Sequence, residues 1–293
     1  MALVRQFITL FLLLISIFSM GQSAQDTFSK PTILFKITHP YSQNVSYLFG
    51  THHAFGKEFF DSLTNANQVL SASDLLIKEN LNDPENSAEQ IINRRTLITD
   101  WDKYLSKKDL AFVESLFATS PTNFNKMTPT EMYVFLNRHF KQEVCLSKVP
   151  SDTSMSLDDY IGSIAKQQNI ELLGLETAEE QIKLINKDVE GMPRKTHQRR
   201  LKNIIEKMRT KNIKDCVETN GYSNMQIDYQ LNTPCRNTLI LTDRNNRWMQ
   251  TLESLLKTNN CFIAVGLSHL MYECGLINQI QDLGYTVQAI NVK

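Results

Sequence analysis

Twice in this chain, near its opposite ends, an apolar run breaks at a glycine and a histidine follows three residues later. VSYLFGTHH supplies Gly50 and His53, and CFIAVGLSH supplies Gly266 and His269. With 10 glycines and 6 histidines in 293 residues, chance supplies ~0.2 such spacings. Both runs read as buried strands, so the repeat restricts what the chain can fold into. Loops leaving the carboxyl ends of parallel strands converge on one sheet edge, and ligands bind there. A glycine at that point permits a sharp turn or a close approach. A histidine three residues on then projects into the crevice. One strand-end histidine alone is as readily a half-buried structural group; it is the pair that favours two half-sites facing each other.

Two neutral imidazoles are a borderline ligand pair suited to manganese, cobalt, zinc or iron, and a carboxylate is needed to complete the set. Glu79 closes the apolar run DLLIKEN and would stand at the same edge as His53. Viewed singly it is an ordinary solvated glutamate. Glu176, in LLGLET, is the second carboxylate, with the competing role of leading into a helix capped by Thr177.

The rest of the chain alternates strand and helix patterns. PTILFKITHP and VSYLFGTHH read as strands joined by a turn at Tyr41 to Asn44. Asp61 to Ser71 carries Leu63, Ala66 and Leu70 at helical spacing, and DLLIKEN returns to strand, which predicts a parallel βαβ unit. Residues 82–150 are helical in pattern, with capped starts at Ser106 and at Thr128, where Pro129 takes the first helical position. LDDYIGSIAKQQN is then a helix, IELLGLE a strand, and TAEEQIKLI a helix with a capping box from Thr177 to Glu180. Residues 190–236 are polar, and their basic cluster Arg194 to Arg200 reads as a solvated helix face. DRNNRWMQTLESLLK is a helix with Asp243 as its cap, CFIAV a buried strand, GLINQIQDLG a helix closed by Gly284, and YTVQAINV a last strand. The expected fold is α/β: a mixed sheet flanked by helices in one domain, residues 31–293, with a helical insertion at about 82–156.

The chain is 42% hydrophobic, enough for a sizeable core, and carries 31 basic and 31 acidic residues. That balance shows no basic face and argues against nucleic acid as partner. Residues 1–21 read as a secretory signal: Arg5 in a short leading segment, the apolar run FITLFLLLISIFSM, and cleavage after Gly21. The run is short for a membrane span of ~20 residues, so the mature protein is expected to be exported, periplasmic or secreted, without a stable span. An uncleaved anchor is the alternative. Export permits disulfides. Of the 5 cysteines, Cys216 and Cys235 flank a polar segment and form the expected bridge, while Cys261 opens an apolar run as a buried thiol.

YLFGTHH, DLLIKE, LLGLETAEEQ, DRNNRWM and FIAVGLSHLMYECGLINQIQDLGYTV, in that order, resemble the TraB/GumN family, which includes the Tiki metalloproteases. The resemblance implies an α/β fold with the two GxxH motifs in pseudo-symmetric halves. It also implies a divalent-metal hydrolase centre whose roles fall on His53, His269 and Glu79. Arg244 and Asn245 match the family's RN pair, and Glu176 matches the glutamate of its LET segment. Two positions depart from the pattern. His52 and Lys78 stand where apolar residues are usual, and His53 is favoured over His52 because it alone keeps the spacing.

The function expected is that of an exported metal-dependent hydrolase, a peptidase acting on a peptide or small-molecule substrate. In it the ion polarises a carbonyl and acidifies water, and Arg244 steadies the oxyanion. Two other readings share the fold. One is an ester hydrolase with a histidine base or a haem- or iron-binding protein; the other is a non-enzymatic binder that sequesters a secreted peptide signal.

Overall fold

The computed structural model describes residues 31–148 and 155–293, so the expected signal segment lies outside the described residues. Six strands form one sheet: β1 (Leu34–Thr38), β2 (Val45–Thr51), β3 (Leu75–Lys78), β4 (Glu171–Gly174), β5 (Cys261–Gly266) and β6 (Thr286–Ile290). Their order is β4-β3-β5-β2-β1-β6. β4, β3, β5 and β2 run parallel, while β1 is antiparallel to both β2 and β6. β2 and β3 do make a parallel unit, with β5 inserted between them from the far end of the chain. The two GxxH strands are therefore immediate neighbours, Gly50 opposite Val265 and Thr51 opposite Gly266. The flanks of this central pair differ, parallel on one side and antiparallel on the other, so the sheet does not divide into matching halves.

Successive side chains of a strand point to opposite faces, and the cores follow that parity. Leu34, Phe49, Leu76, Phe262 and Ala264 join one cluster; Phe35, Leu48, Leu75, Ile77, Ile263 and Val265 join the other. Helices α1 (Lys57–Asp61), α2 (Thr64–Ser71) and α6 (Leu157–Gln167) cover the first face. The helix expected over 61–71 is α2, which begins at Thr64, and α1 is a separate short helix before it that ends at Asp61. α10 (Asp243–Thr258) and α11 (Leu276–Asp282) cover the second face. Asp243 does not cap α10. A π-helical turn, Thr238–Thr242, precedes it, and the Asn237 side chain caps that turn by accepting from the Ile240 amide at 2.8 Å.

A third core is purely helical. α3 (Ala88–Asn93), α4 (Lys107–Phe117) and α5 (Pro129–Phe140) meet α8 (Arg194–Arg209) there, through Ile92, Val113, Leu136, Leu201 and Ile205 among others. α8 keeps Lys195, Arg199 and Lys202 exposed on its outer face. α7 (Ala178–Lys187) and the short α9 (Val217–Ser223) complete the eleven α-helices among the described residues. Both expected capping boxes, at Thr128 and Thr177, are present. The expected Cys216–Cys235 bridge is not. Cys216 is buried in the helical core and bonds Cys145, the last residue of the π-helical turn Lys141–Cys145 that follows α5, while Cys235 reaches the loop after β5 and bonds Cys274. Cys261 is a buried free thiol, as expected. No helix among the described residues is long and apolar enough to cross a membrane.

Candidate functional site

Because β2, β3, β4 and β5 are parallel, the residues just past their carboxyl ends share one edge of the sheet: His53, Glu79, Glu176 and His269. His269 lies in a short turn, Leu267–Leu270, and is 3% exposed. Its ring lies against Trp248, with centroids 4.4 Å apart. Asn245, on α10, donates from Nδ2 to the carbonyls of His269 and Cys274 at 3.1 and 2.7 Å. That orientation turns Asn245 Oδ1 towards His269 Nδ1, 2.7 Å away. The proton therefore sits on Nδ1 and the lone pair on Nε2, which accepts from Arg244 Nη1 at 2.9 Å. Burial pushes the imidazole pKa down to about 3, so the ring is neutral.

Arg244 is the hub of this half. Its Nη2 donates to Glu79 Oε2 at 2.8 Å and to Glu176 Oε1, and its Nε donates to Glu176 Oε2 at 3.1 Å. With the bond to His269, four of the five guanidinium N–H groups are spent inside the protein, which leaves one on Nη1. Glu176 has a fully buried side chain and also accepts from Arg247 at 2.9 Å. It is thus a buried counter-ion for two arginines, not a helix-end glutamate in solvent. Glu79 accepts from the Gly266 amide at 2.7 Å and from Gln181 at 3.1 Å. Burial alone would raise its pKa; the charges of Arg244 and His53 and the Gly266 amide outweigh that and hold the carboxyl below its ordinary value. The motif glycine is not a turn glycine. A Cβ on Gly266 would stand 3.0 Å from Glu79 Oε1, so its absence is what lets the carboxylate reach the amide.

His53 belongs to the opposite face. Its Nδ1 lies 2.8 Å from Asp158 Oδ2, in the first turn of α6, and the ring is 58% exposed. Thr51 donates to the other carboxylate oxygen at 2.6 Å. Asp158 raises the His53 pKa to about 9. Burial would raise Asp158 itself, but His53, Thr51 and Lys78 carry it well below the usual carboxylate range. His53, Glu79 and His269 thus follow three neighbouring parallel strands, β2, β3 and β5, at one sheet edge. His52 turns inward instead. Its ring is tucked beside Phe55 and Tyr222, and Nδ1 accepts from the Ala54 amide at 3.2 Å. Strand parity also explains Lys78, which follows Leu76 to the α6 face. Its Nζ is buried there, 3.7 Å from Asp159 and away from Glu79.

Asp158 was not legible as a site residue, since an aspartate in the first turn of a helix ordinarily serves the helix itself. Arg247 and Gln181 carried no signal either. All three were found only by proximity. A cleft of about 700 Å³ adjoins the cluster, lined by Asn80 to Asp83, Ile91, Arg94 and Gly174 to Glu180.

The donor chemistry suits a divalent ion. Each motif histidine has Nδ1 held by an oxygen acceptor, which directs Nε2 away from that anchor, and His53 would release its Nε2 proton on taking up an ion. The spacing is less favourable. Glu79 Oε1 and His269 Nε2 are 3.9 Å apart, and among the described residues no three of His, Cys, Asp and Glu gather as a ligand group. Arg244 already takes the lone pairs at His269 Nε2 and Glu79 Oε2, so guanidinium and ion compete for the same donors.

No curated protein and no solved structure matches the chain. The model of one family matches residues 33–289, from the residue before β1 to the last but one of β6. On that match, which takes in the whole sheet edge just described, the chain belongs to the TraB/PrgY/gumN family.

Proposed function

We propose that the chain is an exported hydrolase acting on peptide bonds, with His53, His269 and Glu79 holding a divalent cation, manganese, cobalt, zinc or iron. The observation that carries this reading is the matched pair of imidazoles. Both leave the same sheet edge on adjacent parallel strands, and both have Nδ1 pinned by an acceptor beside a buried carboxylate. When bound, such an ion polarises a scissile carbonyl and lowers the pKa of its water towards ~7. Asp158 and Asn245 anchor Nδ1 of the two rings, and the remaining Nη1 proton of Arg244 is the donor available to a developing oxyanion. Two disulfides support passage through an oxidising compartment.

An ester hydrolase with histidine as base is the weaker reading. His53 is charged below pH about 9 and the lone pair of His269 faces Arg244, so neither ring is free to act as a base. A divalent ion, by contrast, would bind by displacing the His53 proton and the guanidinium. The deciding experiment is elemental analysis of the purified mature protein beside its His53→Ala, His269→Ala double variant, with peptide hydrolysis followed with and without chelator. Stoichiometric metal, lost in the double variant together with chelator-sensitive cleavage, is the expected result. A metal-free protein whose behaviour the double variant leaves unchanged overturns the reading. Peptide bound but recovered intact would mark a binder and not an enzyme.

A further inference from the structure

We infer that the open edge of β4 is a docking strand for an extended peptide, whose main chain pairs with Leu172 and Gly174 and runs on into the cleft beside Glu79 and Glu176. β4 ends the sheet and pairs only with β3. In the ladder between them, the amides of Glu171 and Leu175 donate to Asp74 and Lys78. Alternate residues of a strand point their N–H and C=O to alternate sides, so Leu172 and Gly174 turn theirs outward. Among the described residues neither has a hydrogen-bond partner on that side.

Both outward positions are half-buried, and Glu171-Leu172-Leu173-Gly174 contains no lysine or proline, the residues that commonly blunt an exposed edge. The edge does not end in solvent. Gly174, Leu175 and Glu176 themselves line the cleft, together with Asn80 and Leu81, which pack against Gly174. The other open edge, β6, is separated from it by four strands.

The chemistry of the edge identifies its occupant. Two donor–acceptor pairs at strand spacing are matched by a ligand whose own pairs recur at that spacing, which is an extended polypeptide main chain. Such pairing is indifferent to side chains. Selection falls to the cleft, where Leu81 and Ile91 offer apolar contact and Arg94, Asp83 and Glu179 offer charge. The docking rests on the peptide reading of the site for its purpose and not for its geometry.

The test uses the full mature chain and a degenerate pool of fluorescein-labelled decapeptides, with a second pool N-methylated at alternate amides. Leu172→Pro removes one outward donor and no ladder bond, while Leu172→Ala removes the same side chain and keeps the donor. Binding to the first pool is expected to weaken about three- to tenfold in the proline variant relative to the alanine variant. The methylated pool is expected to bind less well than the first. Hydrogen exchange in the wild-type chain guards against misfolding of the variant: the Leu172 and Gly174 amides are expected to slow when the unmethylated pool is added. Equal binding of both pools, or unchanged exchange at those amides under saturating peptide, overturns the proposal. So does protection that rises with protein concentration alone, which would mark pairing between two copies of the chain. Protection without cleavage leaves the docking strand and removes the hydrolase; cleavage without protection does the reverse.

Discussion

Acid should unfold this protein through His269 before its carboxylates are exhausted. The imidazole is 3% exposed with a pKa near 3, against about 6.5 in an unfolded chain. Its folded pKa is depressed, so its contribution to stability is complete above pH 6.5 and is lost as pH falls towards 3. At pH 4 the unfolded state binds the proton and the folded state mostly does not. About 2.5 pH units at 1.36 kcal/mol each give a loss of about 3 kcal/mol, a large fraction of the ~5–15 kcal/mol of a typical domain. The assay is urea unfolding at pH 7, 5 and 4 in the presence of chelator, with His269→Gln as reference because glutamine does not titrate there. The wild type should lose about 3 kcal/mol more than the reference between pH 7 and 4. Parallel losses in the two proteins refute the reasoning, as does an NMR titration showing the folded His269 ring protonating near its ordinary value.

Asp158→Asn removes the carboxylate that charges His53, so the imidazole pKa should fall from about 9 towards its ordinary value by NMR titration. The folded pKa is raised, so the pair's contribution is present below pH 6.5 and lost through pH about 9; the stability gap between wild type and variant should close over that window. Glu176→Gln leaves Arg244 with Glu79 as its one remaining carboxylate, and breaking a buried pair of this kind costs ~3–5 kcal/mol, reduced here by the surviving partner to about 2–3 in a urea melt. Gly266→Ala crowds Glu79 Oε1 off the Gly266 amide and should cost about 1–3 kcal/mol without changing any charge. If that alanine variant melts like the wild type, close approach is not why glycine stands there.

Much of the sheet edge could be read from the chain because parallel strands make it a matter of order. DLLIKEN and the two glycine–histidine loops had only to be strands for Glu79, His53 and His269 to leave the same side. Helix starts were legible where a side chain closes a local bond, as at Thr128 and Thr177. What failed was long-range. The bridge from Cys145 to Cys216 depends on α8 packing into the helical core. The cluster Arg194 to Arg200 reads as a solvated helix face, but the buried stripe behind it, Leu201, Ile204, Ile205 and Met208, is embedded in charge and gave no sign of that core. Lys78 was ambiguous until strand parity assigned it to the α6 face. The start of α10 was misread because Asn237, a turn further back, does the capping.

The aim of one imidazole is inherited from a covalent staple. Cys274 offers its carbonyl to Asn245, Asn245 sets the His269 ring, and Cys274 is tied to Cys235. A chain whose thiols are still reduced would have every side chain of the cluster and lack the tether that steadies their geometry.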